Sequence, residues 1–178
     1  MILSGLEIKK QVEKGNITIE PFCDTQVNPN SYNLRLHPEL LVYVDDVLDM
    51  KKENKTRKLS IPEEGLVLEP GKLYLGRTVE RTHTDKFVPM LDGRSSIGRL
   101  GIYTHVTAGF GDIGFDGTWT LEIQVIHPVR VYPNIKIVQI SYQEITGEFE
   151  LYGQQKLAKG GRYLKQQDAT PSRLHTDY

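Results

Sequence analysis

The chain has 178 residues, a length that suits one well-buried domain and is short for two, so residues 1–178 are read as a single domain. Its 22 basic and 23 acidic side chains leave a net charge of −1, which argues against bulk electrostatic binding of nucleic acid or an anionic membrane. The lone cysteine, Cys23, excludes an intrachain disulfide, and no apolar run approaches the length of a membrane span. Met1-Ile2-Leu3 is followed at once by polar residues, so no secretory leader is expected and the protein is read as cytoplasmic.

In chain order, Ser4 and Glu7 form a capping-box pattern. A helix is expected from about Gly5 to Lys14, stopping at Gly15, with Ile8 and Val12 on its buried face. Beyond it the pattern is β. Tyr32 to Leu36 alternates, and so in part does Leu40 to Val44. Residues 45–64 are polar and read as a surface loop or exposed hairpin. Leu66–Leu68 and Leu73–Leu75 flank Glu69-Pro70-Gly71-Lys72, which predicts a hairpin with a type II turn. Further strands are expected near 87–91, 102–107, 118–127, 129–132, 135–142 and 147–152. Many short strands with frequent turns point to a sandwich, jelly roll or barrel. Residues 153–178, rich in Gly, Gln and Lys, read as a flexible tail.

Two segments carry the chemistry. Gly93-Arg94-Ser95-Ser96-Ile97-Gly98-Arg99-Leu100-Gly101 sets two planar guanidinium forks and two hydroxyls between glycines, a pattern suited to phosphate oxygens. Thr118 to Val125 alternates strictly. It sends Trp119, Leu121, Ile123 and Val125 to one face and Thr118, Thr120, Glu122 and Gln124 to the other. From pattern alone, that second face is either solvated or a site wall. Between the two segments, residues 107–117 hold four glycines and two aspartates, a loop able to wrap a ligand or simply a long turn. One cysteine and histidines at 37, 83, 105, 127 and 175 supply neither a Cys-x-x-Cys pair nor closely spaced histidines. Zinc-dependent hydrolysis is therefore not expected, and water activation falls to a carboxylate. His105 is a tempting base, though a satisfied structural histidine at a strand end is the plainer reading.

Taken together these residues resemble the dCTP deaminase family, relatives of the trimeric dUTPases. The match runs from Met1-Ile2-Leu3-Ser4-Gly5 through Pro29 to Leu36, Gly93 to Gly101, Thr104 to Ala108 and Asp112 to Glu122. It ends at Arg162 to Gln166 and Thr170 to Arg173. The resemblance implies a mainly β fold, a distorted jelly roll or dUTPase-like β-clip barrel with a short N-terminal helix and a lid-like tail over 153–178. It also implies a homotrimer with sites between subunits and magnesium carried by the nucleotide triphosphate, without zinc. Glu122 aligns with the catalytic acid/base, Ser95 with a residue positioning the water, and Arg99 with a charge beside Glu122. The nucleotide contacts implied are Arg94, Ser95, Ser96, Ile97, Gly98 and Arg99, then Thr107, Ala108 and Asp112, then Thr120, Leu121, Glu122 and Gln139. Tyr152, Arg162 and Gln166 fall where the tail closes over the triphosphate.

Two departures are visible: Arg162 stands where many relatives have lysine, and Asn33 where many have aspartate. Within the family, dUTP-releasing members often carry histidine after the Thr-Ala pair and tryptophan after Asp-x-Gly. Gly109 and Phe115 at those places resemble instead the members that proceed to dUMP and pyrophosphate. The expected ligands are dCTP and dUTP, with dTTP as an inhibitor. The alternatives are a deaminase that releases dUTP, a plain dUTPase, and a noncatalytic nucleotide-binding trimer.

Overall fold

The computed structural model describes residues 1–104, 108–156 and 160–178. Helix α1 spans Gly5–Glu13. Ser4 Oγ accepts from the Glu7 N–H at 3.2 Å, one half of the expected box. The Glu7 carboxylate turns instead to Gln11 Nε2 at 2.5 Å. Ile8 is wholly buried and Val12 packs against the core. Gly5 is required for close approach: a methyl there would run into the Asn28 carbonyl.

Eleven strands follow: β1 Thr18–Glu20, β2 Tyr32–Arg35, β3 Glu39–Tyr43, β4 Thr56–Ser60, β5 Leu66–Leu68, β6 Tyr74–His83, β7 Phe87–Gly93, β8 Ile102–Thr104, β9 Asp116–Val125, β10 Val129–Val131 and β11 Lys136–Glu144. A single helical turn, α2, spans Ser95–Gly98. The largest sheet has the order β4-β3-β6-β9-β8, with β1 added to β6. A second sheet is β2-β11-β7, and β10 pairs with β5. All of these pairings are antiparallel. The result is a mainly β, jelly-roll-like fold whose sheets do not close into a barrel. One apolar cluster takes wholly buried Leu40, Leu121 and Ile123 from the large sheet and Leu34, Ile137 and Ile140 from the second. Each such side chain contributes roughly 1.5–3 kcal/mol of burial.

Two local expectations are corrected, and a third is narrowed. The turn at Pro70-Gly71 forms, with Gly71 at φ +75°, but its flanks do not pair with each other. β5 goes instead to β10, and β6 to β3 and β9, so both flanks take partners distant in sequence. No strand forms at 147–152, where Glu148, Phe149 and Glu150 are exposed. Within 45–64, residues 56–60 are a paired strand, so the exposed-hairpin reading holds for β3 and β4. The end of the strand expected over 102–107 lies outside the described residues.

One irregularity ties the sheets together. Between Arg77 and Arg81 the β6–β9 register shifts, so Thr78, Val79 and Glu80 stand against Trp119 alone. Thr78 Oγ1 accepts the Trp119 N–H at 2.9 Å. Glu80 turns fully inward and binds Arg35 Nε at 2.6 Å, the Arg35 N–H at 2.8 Å and Gln26 Nε2 at 3.0 Å. A buried charge is tolerable only when paired and hydrogen-bonded in this way.

Candidate active site

β9 is the spine of the site. Its alternation buries Trp119, Leu121, Ile123 and Val125, as the sequence predicts. Trp119 is fixed by a hydrogen bond from Nε1 to Thr82 Oγ1 at 2.8 Å. On the opposite face Thr120 and Glu122 are half-buried and open into a cavity of about 500 Å³. Thr118, expected beside them, is buried because Gln166 covers it: Gln166 Nε2 donates to the Thr118 carbonyl at 2.7 Å.

The loop before β9 supplies a second wall. The Gly111 N–H donates to the Pro89 carbonyl at 2.9 Å and the Leu91 N–H to the Gly109 carbonyl at 2.7 Å, holding the loop along β7. This leaves Ala108 and Asp112 exposed at the cavity. Phe115 packs on Trp119 with ring centroids 4.1 Å apart and lies 6.1 Å from Tyr152. The floor is therefore apolar and rigid, while the carboxylates of Glu122 and Asp112 provide the polar points, a composition typical of small-molecule sites. Gln166 Oε1 is buried without a hydrogen-bond partner among the described residues, an acceptor left free for a ligand's donor.

Six of the expected residues line this cavity: Ala108, Asp112, Thr120, Glu122, Tyr152 and Gln166. A different group is brought together elsewhere. Arg94, Ser95, Ser96 and Gln139 line a separate cleft of about 280 Å³ with Asn28, Ser31 and Asn33. Arg94 caps α2 and donates from Nη1 to the Lys136 carbonyl at 2.9 Å. Ser31 Oγ donates to Gln139 Oε1 at 2.9 Å. Ser95, Ser96, Gly98 and Arg99 are exposed, and Arg99 makes no ion pair among the described residues. Leu121 and Ile97 are buried, so any nucleotide contact from them runs through the main chain. Arg162 lines neither opening and pairs with Asp177. Thr107 and His105 lie outside the described residues. Within one chain, then, Ser95 and Arg99 do not share the cavity of Glu122.

Tyr163, Thr170 and Ser172, from the tail stretches that carry the resemblance, also line the Glu122 cavity, and so does Tyr43, which went unforeseen. No local pattern marks Tyr43, since its contact with Ser172 spans 129 positions of sequence.

Fold and cavity together define a β-class protein with a carboxylate-bearing, aromatic-walled ligand site. Residues 2–145 match the family described as dCTP deaminase-like, and the chain belongs to that family. A relative named "dCTP deaminase, dUMP-forming" from Hathewaya histolytica is 62% identical over 178 residues, covering 100% of this chain and 99% of its own. A protein of the same name from Clostridium acetobutylicum is 59% identical with the same coverage. Among solved structures, the 2′-deoxycytidine 5′-triphosphate deaminase of Agrobacterium tumefaciens superposes with a TM-score of 0.65 at 22% identity. That likeness covers 81% of this chain but about half (48%) of the other, and it shows the shared fold.

Proposed function

We propose that this chain deaminates dCTP hydrolytically and carries the product on to dUMP and pyrophosphate. Full-length relatives at about 60% identity, all named for that reaction, support it. The observation that carries the chemistry is Glu122, presented by a rigid strand into a cavity with Asp112 and an aromatic floor. In this reading Glu122 takes a proton from water, and the oxygen adds to cytosine C4. The same carboxyl group then returns protons to N3 and to the departing amine, so dCTP and water give dUTP and ammonia. A second water cleaves the phosphate chain, giving dUMP and pyrophosphate. Gly109 leaves room for that water and Asp112 orients it.

The triphosphate falls to the exposed Ser95, Ser96 and Arg99 and the half-buried Arg94, whose hydroxyls and cations suit phosphate oxygens better than a bare metal ion. Magnesium fits as a passenger of the triphosphate, where it offsets phosphate charge. Because the Arg/Ser cleft and the Glu122 cavity are separate in one chain, we assign the complete site to a homotrimer in which α2 of one subunit faces the cavity of the next. Exposed Leu100, Tyr103 and Ile126 beside α2 and β8 supply apolar surface for that contact. A cytoplasmic location and inhibition by dTTP complete the proposal. No described helix is long and apolar enough to cross a membrane.

A dUTPase without deaminase activity would have no use for an acid/base on the base-side strand. Incubation of the protein with dCTP and magnesium, with ammonia, dUTP, dUMP and pyrophosphate all measured, tests the reading. dUMP and pyrophosphate are expected in step with ammonia; accumulation of dUTP without pyrophosphate would remove the second step. Glu122→Gln is expected to lower ammonia release about a thousandfold while nucleotide binding persists. Unchanged turnover in that variant would remove Glu122 from its role.

A further inference from the structure

Among the described residues, β8 pairs with β9 only from Ile123 to Val125, which leaves the first half of that edge to another segment. The tail takes it. The Lys165 N–H donates to the Asp116 carbonyl at 2.7 Å and the Thr118 N–H to the Gln166 carbonyl at 3.0 Å. Gln166 Nε2 returns a bond to the Thr118 carbonyl at 2.7 Å. Gly117 permits this approach: it sits at φ +151°, and a methyl there would lie 2.5 Å from the Gln166 oxygen.

Three further anchors hold the next turn of chain. The Thr170 N–H donates to Thr120 Oγ1 at 3.0 Å, two residues from Glu122 on the same face. The Ser172 N–H donates to Tyr43 Oη at 3.0 Å. Arg77, directly across the sheet from Thr120, pairs with Asp168 at 3.6 Å. Every one of these posts belongs to the chain's own β3, β6 or β9, and between them Tyr163, Gln166, Thr170 and Ser172 come to line the Glu122 cavity.

We infer that the tail works in cis: Tyr43 and the Arg77–Asp168 ion pair seat each chain's tail over the cavity that holds that chain's own Glu122. The inference rests on the reading of that cavity as the reacting half of the site. Tyr43, Arg77 and Asp168 are positioning residues; they act through the tail and need not touch substrate. A tail reaching to a neighbouring copy would leave Tyr43 and Arg77 to be served by another subunit's residues, and the two arrangements differ in which chains are joined.

Two experiments decide. In a Cys23→Ser background, Tyr43→Cys with Ser172→Cys is treated with a short bismaleimide, and the products are separated under denaturing conditions. Links within one chain, running at single-chain mass, are expected; links only between chains would overturn the inference. In the second, Tyr43→Phe and Asp168→Asn are each expected to raise KM for dCTP about three- to tenfold with kcat nearly unchanged, and Asp168→Glu to restore most of the loss. An unchanged KM in both variants would strip these residues of a positioning role. Should the protein release no ammonia from dCTP, the functional reading fails, while the cross-link still reports where the tail lies.

Discussion

The Glu122 cavity and the Arg/Ser cleft differ in how finished they are. The cavity has a packed aromatic floor, a covering tail and a spine fixed by hydrogen bonds from two directions. The cleft leaves its two α2 serines exposed, and Arg99, just beyond its lining, is exposed with no ion-pair partner among the described residues. The contrast separates a region whose order is bought by folding from one whose order awaits assembly.

Substitutions in the two regions are therefore expected to fail in different ways. The largest effect on stability belongs to Glu80→Ala, which strips a fully buried partner from Arg35 and Gln26 behind the spine. A loss of about 3 kcal/mol is expected in denaturant unfolding, with activity falling in proportion to the folded fraction. Arg99→Ala should do the reverse. It is expected to lower turnover of dCTP about ten- to a hundredfold while the melting temperature stays within error. If Arg99→Ala destabilised the fold instead, the contrast between the regions would collapse.

Smaller effects sharpen it. Gly117→Ala pushes the tail off β9 and is expected to speed trypsin cleavage after Arg162, Lys165 and Arg173 by freeing the backbone around them, at a cost of about 1–2 kcal/mol. Cleavage at the wild-type rate would show that the tail does not depend on this contact. The least effect is alkaline. Burial pushes the Tyr32 hydroxyl up to about 12, so between pH ~10 and that value the folded chain keeps a proton that the unfolded chain has released. Stability is expected to be level below pH ~10 on this account and to fall as pH rises through the folded value. Tyr32→Phe should flatten that limb in unfolding curves taken across the range.

What could be read from the sequence was what local order controls. The alternation of Thr118 to Val125 placed Trp119 and Leu121 inward and Glu122 on the opposite face, because a strand's faces follow from period two alone. The cap at Ser4 and the stop at Gly15 were legible for the same reason. Pro70-Gly71 announced its turn correctly, yet which strands the flanks would join depends on residues some sixty positions away. Tyr43 gave no sign of its hydrogen bond to Ser172, and the composition of the tail, polar and glycine-rich, concealed how much of its backbone is bonded to β9. The resemblance assembled Ser95, Arg99 and Glu122 into one site between subunits; within a single chain neither Ser95 nor Arg99 lines the cavity of Glu122.

The irregularity opposite Trp119 carries a consequence of parity. Three residues of β6 against one of β9 leave an excess of two, an even number. Because the excess is even, the in-and-out phase of β6 is the same on both sides of it, and Arg77 and Arg81 emerge on one face. Loss or gain of a single residue between them would invert one half of the strand, turning either Glu80's neighbours or the Asp168 anchor to the wrong side. The strand can tolerate length changes here only in pairs, so the spacing from Arg77 to Arg81 is a counting constraint independent of which residues fill it.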